Sequence, residues 1–170
     1  MPNGKIEKTP VVPTQLDGPM QGRAERVPAY GSITPEQVSL LVDRFYNRVR
    51  ADERLAPIFA AHMSAGWDDH LPKMKAFWRS VLLKTGEYKG KPVPAHAKMA
   101  DVGTEDFSQW LTLFGATVRE IFERDAQPPI MQAAERIATS LWLVTNPSPF
   151  ANPPHWPDLV AASAAHTKGV

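Results

Sequence analysis

Four side chains in this sequence combine a spacing and a chemistry suited to holding a small polar ligand. Tyr46 follows Phe45 and lies four residues after Val42, at the margin of an apolar stripe. His70 is three residues after Trp67 and four before Met74, so helical spacing turns it to the core side of its segment. Trp110 lies three residues after Phe107 and four before Phe114. Each of the three joins an apolar body to a hydrogen-bonding tip. Buried without a partner, such a tip costs roughly 1–3 kcal/mol. Either the tips bond nearby carbonyls in an ordinary core, or the three line one cavity and point at one ligand. Periodicity alone does not choose between these.

The fourth is His96, in the run Lys91-Pro92-Val93-Pro94-Ala95-His96. It is either a solvated loop histidine or a metal ligand, for which neutral imidazole is the commonest donor. His70 and His96 stand 26 positions apart, with none of the close spacing of a zinc site. His62, His155 and His166 suggest surface placement only.

Other chemistries are excluded. The sequence has no cysteine, hence no disulfide, thiolate ligand or cysteine nucleophile. Its glycines are scattered and form no phosphate-cradling loop, and no Gly-x-Ser-x-Gly elbow is present. A formal charge of +1 gives no electrostatic reason to expect a nucleic-acid partner. Lys and Arg residues alternate with acids along exposed helix faces and read as solvation. No apolar run approaches the ~20 residues that span a bilayer, so no membrane partner is expected. Lys5 and Lys8 are not followed by the apolar stretch of a secretory signal. The expectation is a soluble, cytoplasmic protein.

The elements that must position these residues are helices. A composition of 43% hydrophobic residues is enough for a core. The first helix opens at Thr34, with Pro35 at its first position and Gln37 completing a capping box. Its stripe is Val38, Leu41, Val42, Phe45 and Val49. A short turn limited by Pro57 is expected over Asp52 to Phe59. The second long helix starts near Trp67, follows the stripe Trp67, Leu71, Met74, Phe77, Trp78, Val81, Leu82, and ends before Gly86. The segment from Gly86 to Thr104 is mostly loop, with a turn or two of helix over Ala95 to Ala100. The third helix opens at Thr104, with Glu105 and Asp106 favoured by its dipole. It buries Phe107, Trp110, Leu111, Phe114, Val118, Ile121 and Phe122. The fourth starts at Pro128 or Pro129 and buries Ile130, Ala134, Ile137, Leu141 and Val144. No segment reads as a strand, so the expected class is all-α.

Prolines mark the edges. Pro2, Pro10, Pro13, Pro19 and Pro28 precede the first helix, and Pro147, Pro149, Pro153, Pro154 and Pro157 follow the fourth. The reading is an N-terminal arm over residues 1–32, a domain over 33–144, and a tail over 145–170. The tail carries a short helix from Leu159 to Ala165, and Phe150 and Trp156 tack it to the body.

Read together, the segments resemble a known family. LVDRFYNRVRADERLAPIF, from Leu41 to Phe59, resembles the first helix and turn of truncated haemoglobins. WDDHLPKMKAFWRSVLL, from Trp67 to Leu83, resembles the distal helix of their third group. The run from Gly86 to Pro92, leading to His96, resembles that group's loop into the proximal histidine. FSQWLTLF, from Phe107 to Phe114, is similar to the next helix with its cavity-facing tryptophan. The resemblance covers Ile33 to Leu143. The arms lie outside it, and Pro72 departs from it, two residues after His70.

The resemblance implies a truncated-globin sandwich of helices around haem b. His96 would be the proximal iron ligand, and Tyr46, His70 and Trp110 the distal donors around a bound gas, O2, NO or CO. Phe45, Phe59, Met74, Phe77 and Trp78 would be apolar walls, with Phe107 also beside the cofactor. Lys73, Lys91 and Lys98 are the candidates for pairing with haem propionates. The implied function is gas binding. The alternatives are nitric oxide dioxygenase or peroxidase-like chemistry, with electrons from an external reductase, and a cofactor-free helical interaction domain. A monomer or weak dimer is expected.

Overall fold

The structure, a computed structural model, describes residues 32–166, with side chains through residue 162. The N-terminal arm through Gly31 lies outside the described residues. Seven helices follow one another: α1 Pro35–Ala51, α2 Leu55–His62, α3 Gly66–Leu83, α4 Pro92–His96, α5 Thr104–Ile121, α6 Gln127–Thr145 and α7 Trp156–His166. No strand occurs among the described residues. No helix among them is long and apolar enough to cross a membrane.

Local signals set the ends of the long helices. The Thr34 hydroxyl accepts from the Gln37 N–H at 3.2 Å, and the Gln37 side chain accepts from the Thr34 N–H at 3.0 Å. The Asp106 carboxylate accepts from the Gly103 N–H at 2.9 Å and opens α5. Pro128 and Pro129 lie in the first turn of α6, where a missing N–H removes no helical hydrogen bond.

Helix α1 packs on both α3 and α5. Helix α5 in turn packs on α6 and α7, and α4 packs on α6. The core is where the four long helices meet. Val38, Leu41, Phe45 and Val49 of α1, Trp78 of α3, Leu111, Phe114 and Val118 of α5, and Ile130 of α6 are all essentially inaccessible. Each large apolar side chain buried this way contributes about 1.5–3 kcal/mol.

Several expectations need correction. Basic residues read as solvation tie helices together instead. The Arg48 guanidinium donates to the Thr117 hydroxyl at 2.5 Å and to Glu120 at 2.6 Å, joining α1 to α5. Lys75 reaches Asp43 at 2.8 Å, joining α3 to α1. His62 is exposed, as expected, and its Nε2 meets the Asp101 carboxylate at 3.0 Å.

Helix α2 begins at Leu55 rather than Asp52, and Pro57 does not limit it. Pro57 sits in the first turn, where its ring is tolerated, and the helix runs on to His62. Helix α4 occupies Pro92–His96 rather than Ala95 to Ala100, because Pro92 is preset for the first helical position. Val144 and Ile121 are only half-buried, while Trp142 is buried and donates its indole N–H to the Thr104 hydroxyl at 2.8 Å. In the tail, α7 starts at Trp156, ahead of Leu159. Trp156 is buried, but Phe150 is 90% exposed and tacks nothing down.

Asp52 is the joint between α1 and α2. One carboxylate oxygen accepts from the N–H groups of Arg54 at 3.1 Å and Leu55 at 2.9 Å; the other accepts from the Gln109 side chain of α5 at 2.6 Å. Replacing Asp52 by Ala removes the cap and this cross-link together. Chemical denaturation of Asp52→Ala should show a loss of about 1–2 kcal/mol, with Asp52→Asn recovering part of it.

Candidate functional site

A cavity of about 270 Å3, walled almost wholly by carbon, opens among helices α1 to α6. That is close to the lower end of small-molecule sites, about 300–1,000 Å3. Tyr46, His70, Trp110 and His96 all line it, as do Phe59, Met74, Phe77, Trp78, Phe107 and Lys73. The one predicted wall residue that does not is Phe45. It lies a layer behind, edge-on to Tyr46 at 4.8 Å, Trp110 at 5.3 Å and Phe114 at 5.2 Å. Of the three lysines proposed to pair with an anionic group, only Lys73 reaches the cavity wall.

The cavity also explains why Met74 and Phe77 of the α3 stripe are only half-buried, for both line it.

One end of the cavity is built from α1, α2 and α3. The Tyr46 and His70 rings meet at right angles with centroids 5.1 Å apart. Behind them Phe59 stacks on Trp67 at 5.8 Å, and the Arg50 guanidinium covers the Trp67 ring at 4.3 Å. Trp110 enters from α5, stacked on Phe114 at 5.3 Å and on Trp78 at 6.4 Å. These stacks leave each polar tip one direction to point.

Helices α4, α5 and α6 supply the rest of the lining, with His96 on α4. His96 Nδ1 lies 2.7 Å from the Pro92 carbonyl, which only accepts, so Nδ1 carries the proton and donates. The other nitrogen, Nε2, is left with its lone pair. A carbonyl that fixes the tautomer and the ring plane in this way is the usual second partner of a metal-binding imidazole.

Electrostatics separate the two histidines. Burial pushes His70 down to about 4, the nearness of His96 and Lys73 adds to this, and Asp69 opposes it. His70 is therefore neutral at neutral pH. Its Nε2 is the one buried side-chain nitrogen or oxygen without a hydrogen-bond partner among the described residues. Burial alone pushes the Tyr46 hydroxyl up, with no hydrogen bond offsetting it, so the hydroxyl keeps its proton and remains a donor.

The family model for bacterial-like globins matches residues 29–141. The chain belongs to the bacterial-like globins. Among globins with a curated description, the Group 3 truncated hemoglobin ctb of Campylobacter jejuni is 31% identical over 113 residues, spanning 65% of this chain and 89% of that one. The crystal structure of the group III truncated hemoglobin from Campylobacter jejuni matches the fold with a TM-score of 0.64 and 28% identity, covering 72% of this chain and 98% of that one.

Globins use haem to bind small diatomic gases, and the cavity of this globin fits that cofactor. No cluster of three or more His, Asp or Glu able to hold a metal ion occurs among the described residues. A haem brings four ring nitrogens of its own and asks the protein for an axial imidazole and an apolar slot. His96 offers the imidazole. The partnerless His70 nitrogen is the kind of buried polar atom that a ligand would satisfy.

Sequence reasoning missed other cavity residues. Leu55, Ile58, Met99 and Val102 line the cavity without any periodic signal pointing there. Tyr88 also lines it, edge-on to Phe77 at 5.2 Å, from a loop tied to α3 by the Tyr88 N–H donating to Ser80 at 2.9 Å. The Tyr88 hydroxyl lies over Gly90, where any Cβ would overlap it. Gly90→Ala should therefore displace Tyr88 from the wall, visible as a change in its near-ultraviolet or NMR aromatic signals with the helical content kept.

The depressed His70 value gives a pH dependence of stability. In the unfolded chain His70 takes up a proton near 6.5, whereas in the folded chain it resists until about 4. Its contribution is thus present above 6.5 and is lost as pH falls toward 4. Denaturation of the ligand-free chain between pH 7.5 and 4.5 should show a fall in stability that is smaller in His70→Leu.

Proposed function

We propose that this globin is a haem b protein that binds O2, NO or CO at a five-coordinate iron, with His96 as the axial ligand. The observation that carries the reading is a pair of histidines lining one apolar cavity: His96 with Nδ1–H committed to Pro92, and His70 with a buried nitrogen committed to nothing. Haem held there by the His96 imidazole would supply an iron able to bind a small gas molecule.

The chain's own residues set the terms of that binding. The Pro92 carbonyl accepts a hydrogen bond from His96 Nδ1–H and so orients the ring, while Pro92 and Pro94 stiffen the short helix that carries it. Tyr46 is a donor to such a ligand, because its hydroxyl lines the cavity, is buried and keeps its proton. Trp110 adds an indole N–H, a donor only. His70, neutral in this setting, presents either a lone pair or a proton according to its tautomer. The apolar walls exclude water, which strengthens each of these hydrogen bonds. Lys73, exposed at the mouth and paired with Asp69, is positioned to meet a propionate. Several donors converging on one small ligand slow its release. Slow release suits sensing, or chemistry on the bound gas, better than bulk delivery.

Absorption spectra of the purified protein, reduced, with and without carbon monoxide, test the reading. An intense Soret band that shifts with carbon monoxide and is lost or altered in His96→Ala is the expected result. No haem absorbance after addition of haemin would sink it. In Tyr46→Phe the oxygen dissociation rate should rise by about tenfold, the value of one hydrogen bond of about 1.4 kcal/mol. An unchanged rate would remove Tyr46 from the role given to it.

A further inference from the structure

The family match stops at residue 141, yet the chain builds one more helix, α7, from Trp156. Helix α7 packs along α5, and its first residue, Trp156, is 3% exposed. The Trp156 ring lies against Phe107 of α5, with centroids 6.1 Å apart. Its indole N–H donates to the Thr139 hydroxyl of α6 at 2.9 Å. Phe107 lines the cavity, and so do Ile137 and Ala138, the two residues preceding Thr139. One side chain from outside the family match thus grips both long helices of the wall on the His96 side. Helix α6 in turn supports α4, which carries His96.

We propose that Trp156 is a positioning residue for the haem site, acting through Phe107 and Thr139 to hold the His96-side wall closed on the cofactor. This rests on the haem reading above. A tryptophan that only filled the core would add to global stability and leave the cavity alone. Trp156 differs in that the residue it packs against also lines the cavity. Removing it opens space directly behind Phe107, and α5 and α6 lose the hydrogen-bonded wedge that sets their separation. The wall then yields, and haem escapes from a chain that is still folded.

The test uses the full chain loaded with haemin, and measures haemin transfer to an excess of apomyoglobin. Val49→Ala is the control, because Val49 is fully buried on α1 and does not line the cavity. Stability of each variant is measured by denaturant, and loss rates are compared where stabilities match. Trp156→Ala should release haemin about tenfold faster than the control, as disruption of an outer shell around a metal site typically does. Trp156→Phe, which keeps a ring against Phe107, should fall well below Trp156→Ala. Should Trp156→Ala not fold, Trp156→Leu enters the same comparison. Loss from the alanine or leucine variant no faster than from the control overturns the proposal, as does a phenylalanine variant no slower than the alanine one. If the wild type shows a His96-dependent Soret band and the rates match the control, only this inference falls. If the wild type binds no haem, the haem reading falls with it.

Discussion

A cavity lined by carbon persists in a small helical protein only if its walls are braced from behind. Without bracing, the surrounding side chains relax inward and recover the lost contacts. Here the bracing is aromatic. Trp78, Phe114 and Trp110 form a stack, Phe45 closes it edge-on, and Trp67 with Phe59 backs Tyr46 and His70. Rings suit the purpose because they are large and have few rotatable bonds, so they resist collapse at small entropic cost. The rigidity also fixes where the polar tips point. Tyr46 cannot turn its hydroxyl toward a distant carbonyl without breaking its packing on Phe45 and Phe59. The same packing that keeps the space open therefore keeps the donors facing it.

The two histidines show how local backbone decides chemical role. His96 follows two prolines on a five-residue helix, and its ring bonds to the carbonyl that opens that helix. Such an imidazole is oriented before any ligand arrives. His70 stands on an eighteen-residue helix, flanked by Asp69 and followed by Pro72, and no protein group takes up its buried nitrogen. Leaving that atom unsatisfied is unfavourable in the ligand-free chain. The arrangement makes sense if a ligand completes it, and the fixed and the adaptable imidazole line the same cavity.

Much of this was legible in the sequence. Thr34, Pro35 and Gln37 announce the start of α1, and the stripes of α1 and α5 identify the core, because caps and periodicity are local rules. The residues that face the cavity were legible as a set only through their likeness to a family. Periodicity tells which side of a helix is covered, but not whether the cover is another side chain or open space. Trp78 and Met74 have the same apolar signature, yet one is fully buried and the other half-buried at the cavity. Tyr88 and Leu141 reach the wall through loop closure and helix crossing, which no spacing encodes. Arg48 looked solvated because its partners, Thr117 and Glu120, lie some seventy positions away.

The tail shows most clearly where local rules stop. Pro157 and Asp158 mark a helix start at Trp156, with proline at the first turn and an acid where the dipole favours it. That much is readable. What is not readable is that Phe150, equally apolar, stays in water while Trp156 is enclosed. The difference lies in the surfaces the tail passes. Phe150 has no facing pocket, whereas Trp156 meets the gap between α5 and α6 and finds an acceptor in Thr139. A buried indole needs such an acceptor, and the gap provides one directly behind the cavity. The tail's fixed point thus lies against Phe107, a residue that also lines the cavity.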